Sequence, residues 1–238
     1  MIQTRDVVVV GAPAPAFYAS PQHPRGAVVV VHEIFGRAPE VERACHRLAE
    51  AGYAALMPDL FGDRFKPVCI AKALRQFTSG EGEGIEIIKA AADVVARESG
   101  VPRAKVGVIG FCMGGGFALA VGSAFAATSS NYGQLPNPEV MKNPSPTIAC
   151  FGTRDRTTKG AIPILGQRLQ DAGVPHEVHV LDAGHAFLMD GDHKMASFFT
   201  RPLLDVDPLR DAGARELGWT KILAFFDQHL LDSTTPKE

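Results

Sequence analysis

Lys105-Val106-Gly107-Val108-Ile109-Gly110-Phe111-Cys112-Met113-Gly114-Gly115 is the stretch that decides how this chain folds. An apolar run of strand character ends at a cysteine set between glycines. A run of Gly, Ala, Val and Phe follows, to about Phe125, and it suits a helix packed closely on a sheet. Strand, sharp turn and helix in this order form a nucleophile elbow, here with cysteine where the G-x-S-x-G motif carries serine. Glycine is needed two residues either side because a Cβ there would strike the neighbouring chain. The N-terminus of the following helix favours negative charge on the Cys112 sulfur. The plain alternative is a buried structural cysteine beside a glycine-rich turn.

Outward from this elbow, strand-like and helix-like runs alternate. Asp6–Val10 and Ala27–His32 are valine-rich, as strands buried on both faces should be. Pro39 to Gly52 has the spacing of an amphipathic helix, Tyr53–Met57 that of a strand, and Glu83–Ser99 that of a second helix. Strands are expected at 127–132, 147–151 and 177–181, and helices at about 162–172 and 215–231. The alternation implies an α/β fold, a mostly parallel central sheet with helices on both faces. At 238 residues one domain spanning 1–238 is expected, with a possible lid or insertion at about 189–212 carrying Phe198 and Phe199, and Trp219 nearby. Ser233–Glu238 is expected to fray.

Reactive residues in such a sheet gather just past the carboxyl ends of the strands. Three do so here: Cys112 after 106–109, Asp155 after 147–151, and His185 after 177–181. Nucleophile, acid and histidine in that chain order match the α/β-hydrolase fold. His185 would take and return the proton, Asp155 would orient it, and Cys112 would form a thioester. The oxyanion would be held by the backbone N–H groups of Met113 and of Ile34, in the loop His32-Glu33-Ile34-Phe35-Gly36. Glu33 is a carboxylate at the end of an apolar strand, beside the expected nucleophile.

Composition narrows the function. A formal net charge of −2 with scattered Lys and Arg gives no footprint for nucleic acid or for a charged membrane surface. Four cysteines (Cys45, Cys69, Cys112, Cys150) contain no C-x-x-C pair and no metal-ligand spacing, so they read as free thiols in a reducing compartment. No signal peptide or membrane span is legible, and a cytoplasmic location is expected. Amidotransferase-like proteins also place cysteine in G-x-C-x-G, but they keep a later H-x-E pair that this chain lacks after Cys112. A redox-sensing or ligand-binding domain would need Cys112 but neither Asp155 nor His185.

The motifs H-E-I-F-G at 32–36, P-D-L at 58–60, G-F-C-M-G-G at 110–115, Asp155 in its loop and A-G-H-A-F at 183–187 resemble those of dienelactone hydrolase and its relatives. The resemblance runs from about Gly26 to Leu230. It implies a Cys112-Asp155-His185 triad that opens a lactone or carboxylic ester, with no cofactor and no metal. It also implies that Glu33 touches the resting cysteine and helps to form the thiolate. A small-molecule ester or lactone is the expected partner, and the chain a monomer or homodimer. Phe35, Tyr132 and Met189 are the expected substrate-binding residues. The family's type enzyme grips a substrate carboxylate with arginines, one of them four residues past the triad histidine; Met189 stands there in this chain. Arg75, Lys194, Arg201 or an arginine beside Asp155 could restore that charge. Without it, a neutral acyl group should be preferred.

Overall fold

A computed structural model of the chain describes residues 1–64, 66–190 and 204–231. Its centre is an eight-stranded sheet: β1 (Ile2–Val7), β2 (Ala14–Pro21), β3 (Gly26–Val31), β4 (Tyr53–Asp59), β5 (Val106–Phe111), β6 (Thr128–Asn131), β7 (Thr147–Gly152) and β8 (His176–Leu181). The spatial order is β1-β2-β4-β3-β5-β6-β7-β8. From β4 to β8 every neighbouring pair is parallel, and β1 and β2 add an antiparallel edge. The helices are α1 (Pro39–Glu50), α2 (Lys66–Ser79), α3 (Glu83–Ser99), α4 (Met113–Val121), α5 (Ala161–Asp171) and α6 (Ala212–Leu230).

Side-chain alternation along the central strands builds two cores at once. Val29 and Val31 of β3 join Val106 and Val108 of β5 against α2, α3 and α4. Val28 and Val30, with Ile109 and Phe111, face the other way, against α1 and α6. All six valines are fully buried. Each contributes about 1.5–3 kcal/mol of burial, so continuous apolar sequence is what a sheet covered on both faces requires. A smaller cluster seats Leu165 and Leu169 of α5 on Ala149 and Phe151 of β7.

The valines at 6–10 belong to a different structure from the one their sequence implied. Only Asp6 and Val7 are in a strand, at the end of the antiparallel β1, and Val8 and Val10 are 78% and 80% exposed beyond it. Its partner β2, with Pro15 and Pro21 and few branched residues, gave no strand signal, and neither did α2 a helical one. Trp219 lies in α6, 1% exposed, donating from its indole to the Leu188 carbonyl at 2.9 Å. It is a core residue and no part of a lid. Most of the 189–212 excursion, including Phe198 and Phe199, and the 233–238 tail lie outside the described residues. Among the described residues no helix is long and apolar enough to cross a membrane.

Candidate active site

The elbow is held by close contact. Cys112 has φ 54° and ψ −116°, a region side chains rarely adopt. It persists because the chain around it has no alternative. A Cβ on Gly110 would lie 1.9 Å from the Gly114 carbonyl oxygen, and one on Gly114 would lie 2.2 Å from the Val31 oxygen and 2.7 Å from that of His32. Glycine two residues before and after Cys112 therefore lets α4 start directly over β5 and against the end of β3.

Strand β6 pins the turn with polar groups. The Cys112 N–H donates to the Asn131 carbonyl at 3.0 Å, and the Asn131 amide donates to the Gly110 carbonyl at 3.1 Å. The Ser130 hydroxyl donates to the Gly115 carbonyl at 3.0 Å. Thr128, Ser129, Ser130 and Asn131 are all buried, so β6 is a polar strand inside the sheet. The strand expected at 127–132 is there, but its polar contacts to the turn could not be read from the sequence, because hydroxyls in a short strand carry no motif.

The loop after β3 is shaped by His32. Its Nδ1 donates to the Glu33 carbonyl at 2.7 Å, while its Nε2 accepts from the Leu60 N–H at 3.0 Å. This ties the end of β3 to the end of β4. Asp59 accepts from the N–H groups of Phe61 and Gly62 at 2.9 Å each, and Gly36, at φ +81°, closes the loop with its N–H on the Glu33 carbonyl. The motifs H-E-I-F-G and P-D-L are thus one construction. Met113 opens α4, where the first N–H groups of a helix have no intrahelical acceptor. Phe35 is 39% exposed and lines an open cavity of about 460 Å³ with Arg37, Glu42, Asp59 and Arg64.

On the other side of Cys112, the loops after β7 and β8 bring Asp155 and His185 together. His185 Nδ1 donates to Asp155 Oδ2 at 2.7 Å. Asp155 is fully buried and also accepts from the Thr157 N–H (2.9 Å), the Thr157 hydroxyl (2.6 Å) and the Thr158 hydroxyl (3.1 Å). Burial opposes its ionisation, yet the hydrogen bond and charge of His185 and the Thr157 donors outweigh that and hold the carboxyl below its usual range. For His185, burial again works against charge. The negative charge of Cys112, hydrogen bonds to Asp155 and Cys112, and the Asp155 charge prevail, pushing the imidazole up to about 10.

Tyr132, at φ 41° and 1% exposed, lays its ring 4.9 Å from that of His185. Burial, then the charges of Glu33 and Cys112, push its phenol well above the usual range, which places Glu33 (5% exposed) in the same pocket of charge. Met189 is 1% exposed, inside the core cluster that Cys112 packs against, and its carbonyl accepts from Arg215. It shows almost no surface to a ligand. Asp182 and Arg154 pair with one another, and Arg75 is exposed on α2. Lys194 and Arg201 lie outside the described residues. Cys45, Cys69 and Cys150 are buried; burial pushes the Cys150 thiol up to about 12 and the Cys45 thiol higher still. Among the described residues no group of three or more His, Cys, Asp or Glu could hold a metal.

A parallel sheet with an antiparallel edge, a strained elbow after β5 and an Asp-His pair past β7 and β8 define the α/β-hydrolase class. Within that class the chain belongs to the dienelactone hydrolase family, whose sequence model matches residues 14–230. It is 28% identical over 243 residues to a Yersinia pestis protein provisionally named a carboxymethylenebutenolidase, covering 92% of this chain and 85% of the relative. It is 27% identical to the carboxymethylenebutenolidase of Rhodococcus opacus, covering 92% and 87%. Among solved structures, a dienelactone hydrolase-like promiscuous phosphotriesterase from metagenomic libraries superimposes with a TM-score of 0.77 at 23% identity, covering 96% of this chain and 98% of the other. The chain is a carboxylic ester or lactone hydrolase.

Proposed function

We propose that this hydrolase works through Cys112, His185 and Asp155. The observation that carries the reading is the 2.7 Å His185–Asp155 hydrogen bond beside a cysteine held on a strained elbow. The imidazole, raised to about 10, keeps a proton at neutral pH next to the sulfur. Cys112 attacks the substrate carbonyl as the thiolate, forming a C–S bond and a tetrahedral oxyanion. The N–H groups of Met113 and Ile34 receive that oxyanion. On its collapse the C–O bond breaks, and His185 gives its proton to the leaving oxygen. Water, deprotonated by His185, then cleaves the thioester and frees Cys112. Glu33 adds negative charge that Cys112 must accommodate, which makes it a control on the sulfur as well as a loop residue.

The substrate is a small neutral or weakly polar ester or lactone, entering past Phe35; Tyr132, as deeply buried as Met189, backs the His185 ring and does not face the substrate. The position that holds an arginine in the type enzyme is filled here by the buried Met189, and Arg154 is committed to Asp182, Asp205 and Asp211. Neither offers a fork to a carboxylate.

Two measurements test this. Cys112→Ala should lose hydrolysis of an aryl ester while keeping the wild-type circular dichroism, and a thiol alkylator should label Cys112 ahead of the three buried cysteines. Residual turnover in the folded Ala variant sinks the mechanism. Across lactones and esters that differ in charge, kcat/KM should favour neutral substrates by about tenfold or more, the size of one charge-assisted hydrogen bond. A preference for the anion overturns the substrate reading alone.

A further inference from the structure

His185 sits in a loop that does not hold itself. The next residue, Ala186, has φ 60°, and Asp205, which packs against the loop, has φ 47°. Both are conformations that persist only when the surroundings dictate them. Two segments supply that constraint. From the β7 side, the Arg154 N–H donates to the Ala183 carbonyl at 3.0 Å. From the segment entering α6, the Leu204 carbonyl accepts the His185 N–H at 2.6 Å. A Cβ on Gly184 would stand 1.9 Å from the Asp205 carbonyl oxygen.

The charges that tie these segments together converge on Arg154, the residue before Asp155. Its guanidinium pairs with Asp182 from the His185 loop, with Asp205 at 2.9 Å and with Asp211. Asp211 is 1% exposed. Its second oxygen accepts the N–H of Gly184, the residue before His185, at 2.9 Å. Arg210 adds a second cation, 2.8 Å from Asp205 and 3.6 Å from Asp211. A buried carboxylate is costly unless paired and hydrogen-bonded, and this one takes one partner from the loop that carries His185 and another from the loop that carries Asp155. An exposed arginine could anchor the surface equally well from many positions. Arg154 instead sits between Asp155 and the backbone of the loop it must face.

We infer that Arg154 and Asp211 are positioning residues that set the His185 imidazole against Asp155 and Cys112 through the backbone of Gly184 and Ala183. This rests on His185 being the base of the proposed mechanism. Arg154 also carries the acid: it is bonded directly to Asp155, so one guanidinium fixes the acid loop and the base loop to the same carboxylate. The groups that face the imidazole are Asp155, Cys112 and the Tyr132 ring. A displacement of His185 therefore changes its distance from both charges that keep it protonated.

The test uses the full chain with Arg154→Met, Arg154→Lys, Asp211→Asn and, as a distant control, Lys89→Met, whose pair with Glu86 lies on α3. Arg154→Met should lower kcat on an aryl ester by about 10- to 100-fold with KM nearly unchanged, the cost of a displacement near 1 Å. The pH profile of Cys112 alkylation should move with it, its rising limb shifting to higher pH as the imidazolium is drawn away from the sulfur. Arg154→Lys should recover part of both. Asp211→Asn keeps an acceptor for the Gly184 N–H, so it should lose less than Arg154→Met. A lower melting temperature in Arg154→Met, with kcat per folded molecule and the alkylation profile both as in wild type, would reduce the cluster to an anchor and overturn the inference. Activity surviving Cys112→Ala would be a failure of the mechanism itself, visible in a protein where Arg154 is intact.

Discussion

The two sides of the site are held in place by different physics. Cys112 is fixed by touching backbone: glycines at 110 and 114 that have no room for a methyl group, and carbonyls of β3 directly against α4. His185 is fixed by charge: a buried carboxylate behind it, a second one below its loop, and Arg154 between three aspartates. Steric fixing is short-ranged and indifferent to pH. Electrostatic fixing is titratable and reaches residues far apart in the chain. Cys112 thus stays put under conditions that alter the hold on His185.

The largest expected break falls on the charged side. Asp155→Asn keeps the shape of the loop but removes the charge that orients the imidazolium, and kcat should fall by about 10⁴-fold, as in triads where the acid is neutralised. A near-silent variant would leave Asp155 a turn residue; Asp182 is spoken for by Arg154 and Asp190 by Arg215. On the steric side, Gly114→Ala must push Val31 and His32 backbone away. It should cost about 3 kcal/mol in a urea titration, at the upper end for an added methyl. Its pH profile of activity should keep the wild-type shape, because no charge has been touched. A smaller effect sharpens the contrast further. With the imidazole raised to about 10, the alkaline limb of kcat/KM should lie near that value rather than near 6.5, and it should move down in Asp155→Asn. A limb already near 6.5 in the wild type would show that the Cys112 and Asp155 charges do not act on His185 as the geometry implies.

The smallest expected effect is in stability at low pH. The folded-state value of Asp155 lies below 3.8. Its contribution is therefore complete above that unfolded value and is lost as pH falls through the lower folded one. Melting temperatures taken downward from pH 4 should fall less steeply in Asp155→Asn than in wild type. Equal slopes would mean that the carboxyl gains nothing on folding.

What the sequence made legible follows the same division. The elbow could be read because steric demands leave glycines at fixed spacing, and buried parallel strands leave runs of valine. Cys112, Asp155 and His185 could be placed because each stands one loop past such a strand. The Val7–Val10 run misled for the complementary reason: apolar composition does not say whether a residue lies inside the sheet or beyond its edge, and Val8 and Val10 lie beyond. β2 escaped because its proline and alanine content lacks the branched residues that mark strands; Pro15 is tolerated at the register shift against β4 and Pro21 at the strand's end. The cluster around Arg154 was invisible because its members, at 154, 182, 205 and 211, are ordinary loop charges until the fold gathers them. Met189 was legible as a departure from the family's arginine, but its burial was not.

Strand β6 has a consequence for the order in which the molecule assembles. Four buried polar side chains in a row gain nothing from collapse, and in water they already have their hydrogen bonds. Their partners are the Gly110 and Gly115 carbonyls and the Ser145 hydroxyl, and these are in place only once β5 and α4 have formed. β6 should therefore gain protection from hydrogen exchange in the same cooperative step as the elbow, and never ahead of it. Until that step, Cys112 is an ordinary thiol on a loose chain. The backbone geometry that sets Cys112 apart from the other cysteines is therefore complete only when β6 has joined β5.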